Sequence, residues 1–493
     1  MHLHAKSYRA ISIMLLVFLA VSSCSSGKNS EANPSEPVQT ETQTSTPHQL
    51  ETETQTSTPH QQSSEEEPTG DATGEAVFKE DQIITIELTF SQENFFRTLN
   101  ENYEASEYIP ADLTITDASG THGYENVGIR LKGNSSMAHP GKKKPFKIDF
   151  NEYIVGQNHD GLKKLNFSNA FKDPSFLREK IFFDVSRSAG SLAPRTNFAN
   201  VYFNGERWGL YTVVEQIDDQ FLDWTIGDDG GNLFKAGGDG ADLRYLGPDQ
   251  TAYEETYEIK NNEQQNDWTD LLTFLDFINS ASSEEFENQL EQYLDLGLFL
   301  RSAALDNLFS NLDSYTLSGR NYYLYHNTQT SQWQWIKWDG NEAFGAFAYG
   351  VREPITELPI TFRDPGKVLL ERIFESDKLS QLYMNEICGL LGTYFTPQYL
   401  HPMIDSLASL IESSVDMDEN KMYTDQEFAS NINVDIVTED PFLKGEEVRP
   451  PNIEGGALQE GNRPNRGGTV MFGLKSFIDE KYAYLGENLD CED

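Results

Sequence analysis

The chain is short of cysteine and of positive charge. Its 493 residues contain 3 cysteines, at positions 24, 388 and 491, too few for a disulfide framework or a cysteine-rich metal site. Only 37 lysines and arginines stand against 79 aspartates and glutamates, a formal net charge of −42. So negative a surface repels a nucleic-acid backbone and excludes general nucleic-acid binding. Long apolar runs are also missing. The longest, Ala10–Val21, has twelve residues. As a helix it rises about 18 Å, against the roughly 30 Å of a hydrocarbon core. No GxxxxGK[ST] loop occurs, so a Walker-type phosphate cradle is excluded.

Aromatic residues are plentiful: 30 Phe, 22 Tyr and 6 Trp within a 38% hydrophobic chain, enough for a substantial core. Lys6 and Arg9 precede the apolar run, the pattern of a secretory signal peptide. It ends Val21-Ser22-Ser23-Cys24, which resembles the lipobox of a bacterial lipoprotein. That resemblance implies loss of residues 1–23 and lipid anchoring through Cys24. The remainder is then a membrane-anchored protein of the cell envelope or cell surface, its folded domain extracytoplasmic. Cys388 and Cys491 are expected as thiols of a protein that does not depend on disulfides.

Residues 24–76 read as a disordered acidic tether of Ser, Thr, Gln and Pro. The word TETQTSTPHQ occurs twice, at 40–49 and 52–61. Such a segment cannot repay its ordering entropy by burial. His48 and His60 recur with the repeated word and are read as linker, not as metal ligands.

Beyond the tether, strand patterns come first: 81–90, 124–132, 145–150 and 162–167, with short helices at 91–100 and 175–189. Asn204-Gly205 between the apolar runs 198–203 and 208–214 signals a hairpin. Helical periodicity follows at 268–278, 286–298, 300–309 and 369–391. The order predicts an α+β fold of two lobes with a cleft between them: 77–218 with the connecting hinge, then 219–490. A Gly/Pro/Asn-rich excursion occupies 439–469.

Charge is uneven. Between Arg130 and Arg195 stand thirteen basic residues and six acids. Such an island calls for an anionic ligand, and Gly133-Asn134-Ser135-Ser136 offers a donor-rich turn for phosphate. The alternative is a set of surface ion pairs, each worth about 0–1 kcal/mol. Farther on, Asp313 precedes the apolar run 322–325 and Asp339 follows 333–338, with Asn321 and Asn341 beside them. Hard oxygens of this kind suit Mg²⁺ holding nucleotide phosphates. They serve equally as ordinary turn formers.

Several ordered stretches carry a resemblance: VGIRLKGNSS (127–136), KKPFKIDF (143–150), GLKKLNFSNAFKDPSFLREKIFFD (161–184), APRTNFANVYFNGERWGLYTVVEQID (193–218), NLDSYTLSGRNYYLY (311–325) and WDGNEAFG (338–345). They resemble the CotH family of atypical secreted or spore-coat protein kinases. The resemblance implies a two-lobed kinase-like fold, ATP with Mg²⁺ or Mn²⁺, and phosphorylation of Ser/Thr hydroxyls on a Ser/Thr-rich extracytoplasmic protein, with a monomer assumed. Arg130, Lys132, Gly133, Asn134, Ser135 and Ser136 then cover the phosphates. Lys147 becomes the phosphate lysine paired with Glu179, with Lys132 as the alternative contact. Residues 213–217, Glu215 among them, border adenine. Asp313 becomes the catalytic aspartate, and Asp339 binds metal with Asn321 or Asn341.

Departures from ordinary protein kinases are plain. Asn311-Leu312-Asp313 stands in place of H-R-D, Trp338-Asp339-Gly340 in place of D-F-G, and no A-P-E follows. Two other functions stay open: a catalytically silent scaffold or Ca²⁺-binding protein of the same shape, and transfer of AMP instead of phosphate.

Overall fold

Alternating apolar residues close the first part of the folded chain into a barrel. A computed structural model describes residues 73–238, 240–348, 350–438 and 469–491. The expected signal peptide, Cys24, nearly all of the tether and the excursion up to 468 lie outside them. The barrel strands are β1 (Ile84–Thr89), β2 (Ile109–Asp117), β3 (Gly120–Leu131), β4 (Phe146–Asp149), β5 (Lys164–Ser168), β6 (Thr196–Phe203) and β7 (Glu206–Glu215). They close in the order β1-β2-β3-β4-β5-β7-β6, with β1 parallel to β6 and every other pair antiparallel. Ile86, Ile115, Ile129, Ile148, Phe167 and Val201 fill its interior. Helices α1 (Phe95–Glu101), α2 (Ser135–Ala138) and α3 (Arg178–Ser188) lie in its connections. At the β6–β7 hairpin Asn204 and Gly205 take φ of 51° and 78°, the left-handed pair that a two-residue primed turn requires.

The second part is mainly helical. It comprises α4 (Asp219–Ile226), β8 (Leu233–Ala236), β9 (Tyr257–Ile259), α5 (Thr269–Ser280), α6 (Ser283–Tyr293), α7 (Leu296–Leu308), β10 (Tyr322–His326) and β11 (Trp333–Lys337). Then follow α8 (Val368–Glu375), α9 (Asp377–Thr393), α10 (Pro397–Asp416), α11 (Asp425–Asn431), β12 (Ile436–Thr438), β13 (Thr469–Met471) and α12 (Leu474–Asn488). Strands β8–β11 form one sheet in the order β11-β10-β8-β9. The apolar pattern expected as one helix over 369–391 divides in two. Ser376 breaks it by capping α9, its side chain accepting from Leu379 N–H. Helix α3 packs its Ile181, Phe182 and Val185 into the apolar cluster of this second part, although it lies between barrel strands in sequence.

Most of the basic island proves to be internal pairing. Lys143 is buried against Asp418 at 2.5 Å, Arg178 against Asp173 at 2.5 Å, and Lys180 against Asp184 at 2.5 Å. Lys164, Lys172, Arg187 and Arg195 also have carboxylate partners. Arg178 and Lys180 on α3 are fully enclosed. Only Arg130, Lys132 and Lys147 of the thirteen line the large cavity described below.

The thiols are not free. Cys388 of α9 and Cys491 beyond α12 form a disulfide, Cα to Cα 5.5 Å, across 103 residues of sequence. Spacing that wide gave no hint of pairing, since only tertiary packing brings the two together. Cys491→Ser is expected to lower stability by about 2–4 kcal/mol, because the cross-link restricts the unfolded chain. Urea denaturation with and without reductant checks this: wild type should lose the same increment on reduction and the variant none.

Lys481 of α12 is fully buried, and its Nζ donates to the Leu358 carbonyl at 2.9 Å. Burial pulls its pKa down to about 7. The unfolded chain therefore holds this proton at pH values where the folded chain does not, so stability rises with pH between about 7 and 10. The slope reaches at most about 1.4 kcal/mol per pH unit. Lys481→Met is expected to remove that rise and to stabilise the protein at pH 7, measured as urea midpoints across the range.

Candidate active site

Two rows of side chains face each other across a cavity of about 600 Å³. Strand register builds the first. Arg130 on β3 pairs with Lys147 on β4, Lys147 with Asn166 on β5, and Asn166 with Val214 on β7, so all four share one face. Lys132, two residues beyond Arg130, joins that face while Leu131 turns into the barrel core. The second row crosses the other sheet: Glu258 on β9, Lys235 on β8 and Tyr323 on β10 are register partners and line the same cavity. Gly133–Ser136, Glu179, Asp313, Asn321, Asp339 and Asn341 also line it, so every sequence-derived candidate but one is present.

The exception is Glu215. Alternation along β7 sends Val214 to the cavity and Glu215 away from it. Its carboxylate is buried against the Arg195 guanidinium at 2.5 and 3.0 Å and accepts from Trp224 Nε1 at 2.9 Å. Gln216, the next residue, takes the cavity position.

Lys147 does not pair with Glu179. Its ammonium donates to Gln216 Oε1 at 2.6 Å, and Asn166 Nδ2 donates to the same oxygen at 3.2 Å. Burial, then the positive charges of Lys132, Arg130, Lys164 and Lys235, hold its pKa well below the ordinary lysine range. The positive charge acting on Glu179 is that of Lys132, through space and not as an ion pair. Burial and Asp339 push Glu179 up, opposed by Lys132 and the Ser168 hydroxyl. Burial pushes Lys132 down, opposed by Asp339 and Glu179.

The acidic side is tightly held. Arg320 directs Nε and Nη2 at Asp313 Oδ1, each at 2.9 Å, and Asn321 Nδ2 reaches Asp313 Oδ2 at 3.1 Å. Asp339 and Asn321 take left-handed φ of 56° and 63°. Strain of this kind persists where packing over-determines it. The packing here is specific: a Cβ on Gly340 would lie 2.4 Å from the Phe182 ring of α3, so only glycine lets the turn close on that helix. Burial, then the Asp313 charge, raises the Asp339 pKa. Glu342, a further carboxylate on the cavity, is held by Lys172 at 2.9 Å and raised to about 7 by burial.

Sequence reading missed Lys235, Arg320, Glu342 and Trp338, and within 213–217 it singled out Glu215 where Gln216 takes the place. Arg320 and Glu342 lie one residue from named candidates and were within reach. Lys235 sits on a four-residue strand, too short for alternation to register.

Among the described residues no cluster of three or more His, Cys, Asp or Glu has metal-holding geometry. The donor set nevertheless fits a divalent ion shared with phosphate, which needs only one or two carboxylates from the protein. Asp339 supplies one. Asn321 uses its amide nitrogen on Asp313, leaving its amide oxygen for a cation.

A family model described as CotH kinase protein matches residues 129–437. Inner spore coat protein H of Bacillus subtilis (strain 168) is 26% identical over 329 residues, 66% of this chain and 86% of that protein. Invasin CotH3 of Rhizopus delemar is 19% identical over 406 residues, covering 76% of this chain and 62% of the fungal protein, less than two thirds of its length. Among solved structures, the Helicobacter pylori proinflammatory kinase CtkA superposes loosely. Its TM-score is 0.25 at 11% identity, over 61% of this chain and 95% of that one.

Proposed function

Since this chain belongs to the CotH kinase protein family, we propose that it transfers the γ-phosphoryl group of ATP to Ser/Thr hydroxyls of an extracytoplasmic protein. One observation carries the reading: a row of cations and a pair of held aspartates, Asp313 and Asp339, share a cavity of about 600 Å³. That volume lies within the roughly 300–1,000 Å³ range of small-ligand sites. The barrel with its connection (77–218) is the N-lobe of a kinase-like fold, and 219–490 its C-lobe.

Arg130, Lys132 and the Gly133–Ser136 turn face the phosphates, and Val214 and Gln216 border the base. Asp313, fixed by Arg320 and Asn321, orients the acceptor hydroxyl and accepts its proton. Asp339 holds the divalent ion with Asn321 or Asn341. When bound, that ion offsets charge on the phosphate oxygens.

The B. subtilis relative is named for the spore coat and the Rhizopus relative as an invasin. A disulfide fits the same oxidising, extracytoplasmic setting. Anchoring through a lipid on Cys24 completes the proposal, with the Ser/Thr-rich tether itself as an acceptor to be tested. Incubation with ATP and Mg²⁺ or Mn²⁺ followed by intact-mass analysis tests the reading. A phosphoryl increment on an acceptor protein or on residues 24–76 supports it. An AMP increment replaces it with nucleotidyl transfer, and no increment with any acceptor leaves a silent scaffold.

A further inference from the structure

Lys235 comes to the cavity from the sheet opposite the barrel, between Glu258 and Tyr323. Its ammonium lies 5.9 Å from the centre of the Trp338 ring system, and the Lys132 ammonium, from the barrel side, lies 5.2 Å from that same centre. Two ammonium groups carried by separate sheets thus converge on one indole. Among the described residues no carboxylate lies within ion-pair distance of either ammonium. Lys147, by contrast, is occupied by Gln216.

Bringing two buried ammonium groups to one indole is costly in itself. Burial disfavours both charges, Arg130 adds to that effect on each, and Lys235 adds to it on Lys132. Asp339 opposes it on both, joined by Glu179 on Lys132 and by Glu258 on Lys235, yet burial is the larger effect on each. A multiply charged anion over Trp338 removes the repulsion and gives each ammonium an acceptor. A carboxylate has two oxygens in one plane, whereas phosphate presents acceptors in several directions and can take donors from two opposed walls.

We propose that Lys235 is a second phosphate-binding residue, gripping from the β8 wall the same phosphates that Lys132 grips from the barrel. The inference rests on the nucleotide-binding reading above and adds a contact from the C-terminal part of the chain. Phosphate bound there ties the barrel to the β8–β11 sheet.

Calorimetric titration of the full chain with Mg·ATP and with inorganic tripolyphosphate tests it, using wild type, Lys235→Met and Lys235→Arg. Loss of one charge-assisted contact is expected to weaken both ligands about 10–100-fold in the Met variant. The Arg variant should stay within about fivefold of wild type, because a guanidinium also donates to phosphate. Equal binding by wild type and Lys235→Met overturns the inference. So does loss of binding accompanied by a lowered melting temperature in both variants, which marks a packing role. If wild type binds tripolyphosphate but not ATP, the nucleotide reading falls and the Lys235 contact stands. If it binds neither, both fall.

Discussion

Asp339→Asn is expected to reduce phosphoryl transfer by about 10²–10³-fold, as removal of a group stabilising transition-state charge does, while leaving the protein folded. The backbone argument makes this substitution informative. Residue 339 has φ of 56°, a conformation that asparagine tolerates better than most side chains. Gly340 against Phe182 and Trp338 against the two lysines are untouched, so the turn keeps its place. What changes is one negative oxygen, the hard ligand a divalent ion needs beside phosphate. Asp339 also stands near the Asp313 charge, which raises its pKa along with burial. Removing one of two neighbouring carboxylates relieves that repulsion, so the melting temperature should hold or rise as turnover disappears. Turnover with Mg²⁺ and a thermal melt on the same sample check both halves. Retained turnover would place the metal elsewhere and undo the assignment of this cavity.

How much of this was legible beforehand depended on whether each feature was local. The β6–β7 hairpin was legible because Asn204-Gly205 specifies its own dihedral angles. The acidic side was legible because Asp313, Asn321 and Asp339 flank two short apolar strands, and strand ends fix where flanking residues go. Register was not. Whether Lys132 or Lys147 meets Glu179 depends on how β3, β4 and α3 align, and alternation within one strand says nothing about its neighbour. The same blindness misplaced Glu215, whose phase on β7 is set by pairing with β5 and β6. The basic island misled for a related reason: it was counted along the chain, whereas partners such as Asp418 for Lys143 lie 275 residues away. The Cys388–Cys491 bond shares that distance problem.

That register question yields the second large effect. Lys132→Met is expected to lower kcat/KM for ATP by about 10²–10³-fold, and Lys147→Met by less than about tenfold. The Lys147 ammonium is committed to Gln216 Oε1 within a network that includes Asn166, so methionine there breaks one contact and removes a buried charge of lowered pKa. The Lys132 ammonium stands over Trp338, with Asp339 and Glu179 as its opposing charges. Its loss removes the positive charge that acts on Glu179 through space, and the carboxyl, already pushed up by burial, then takes a proton more readily. Glu179→Gln alone should therefore share part of the defect, and the double variant should be less impaired than the two losses combined, since both remove one interaction. Steady-state kinetics on the four proteins measures that coupling. If Lys147→Met proves the crippling change and Lys132→Met the mild one, the phosphates lie deeper, against Gln216, and the grip over Trp338 is not where the chemistry occurs.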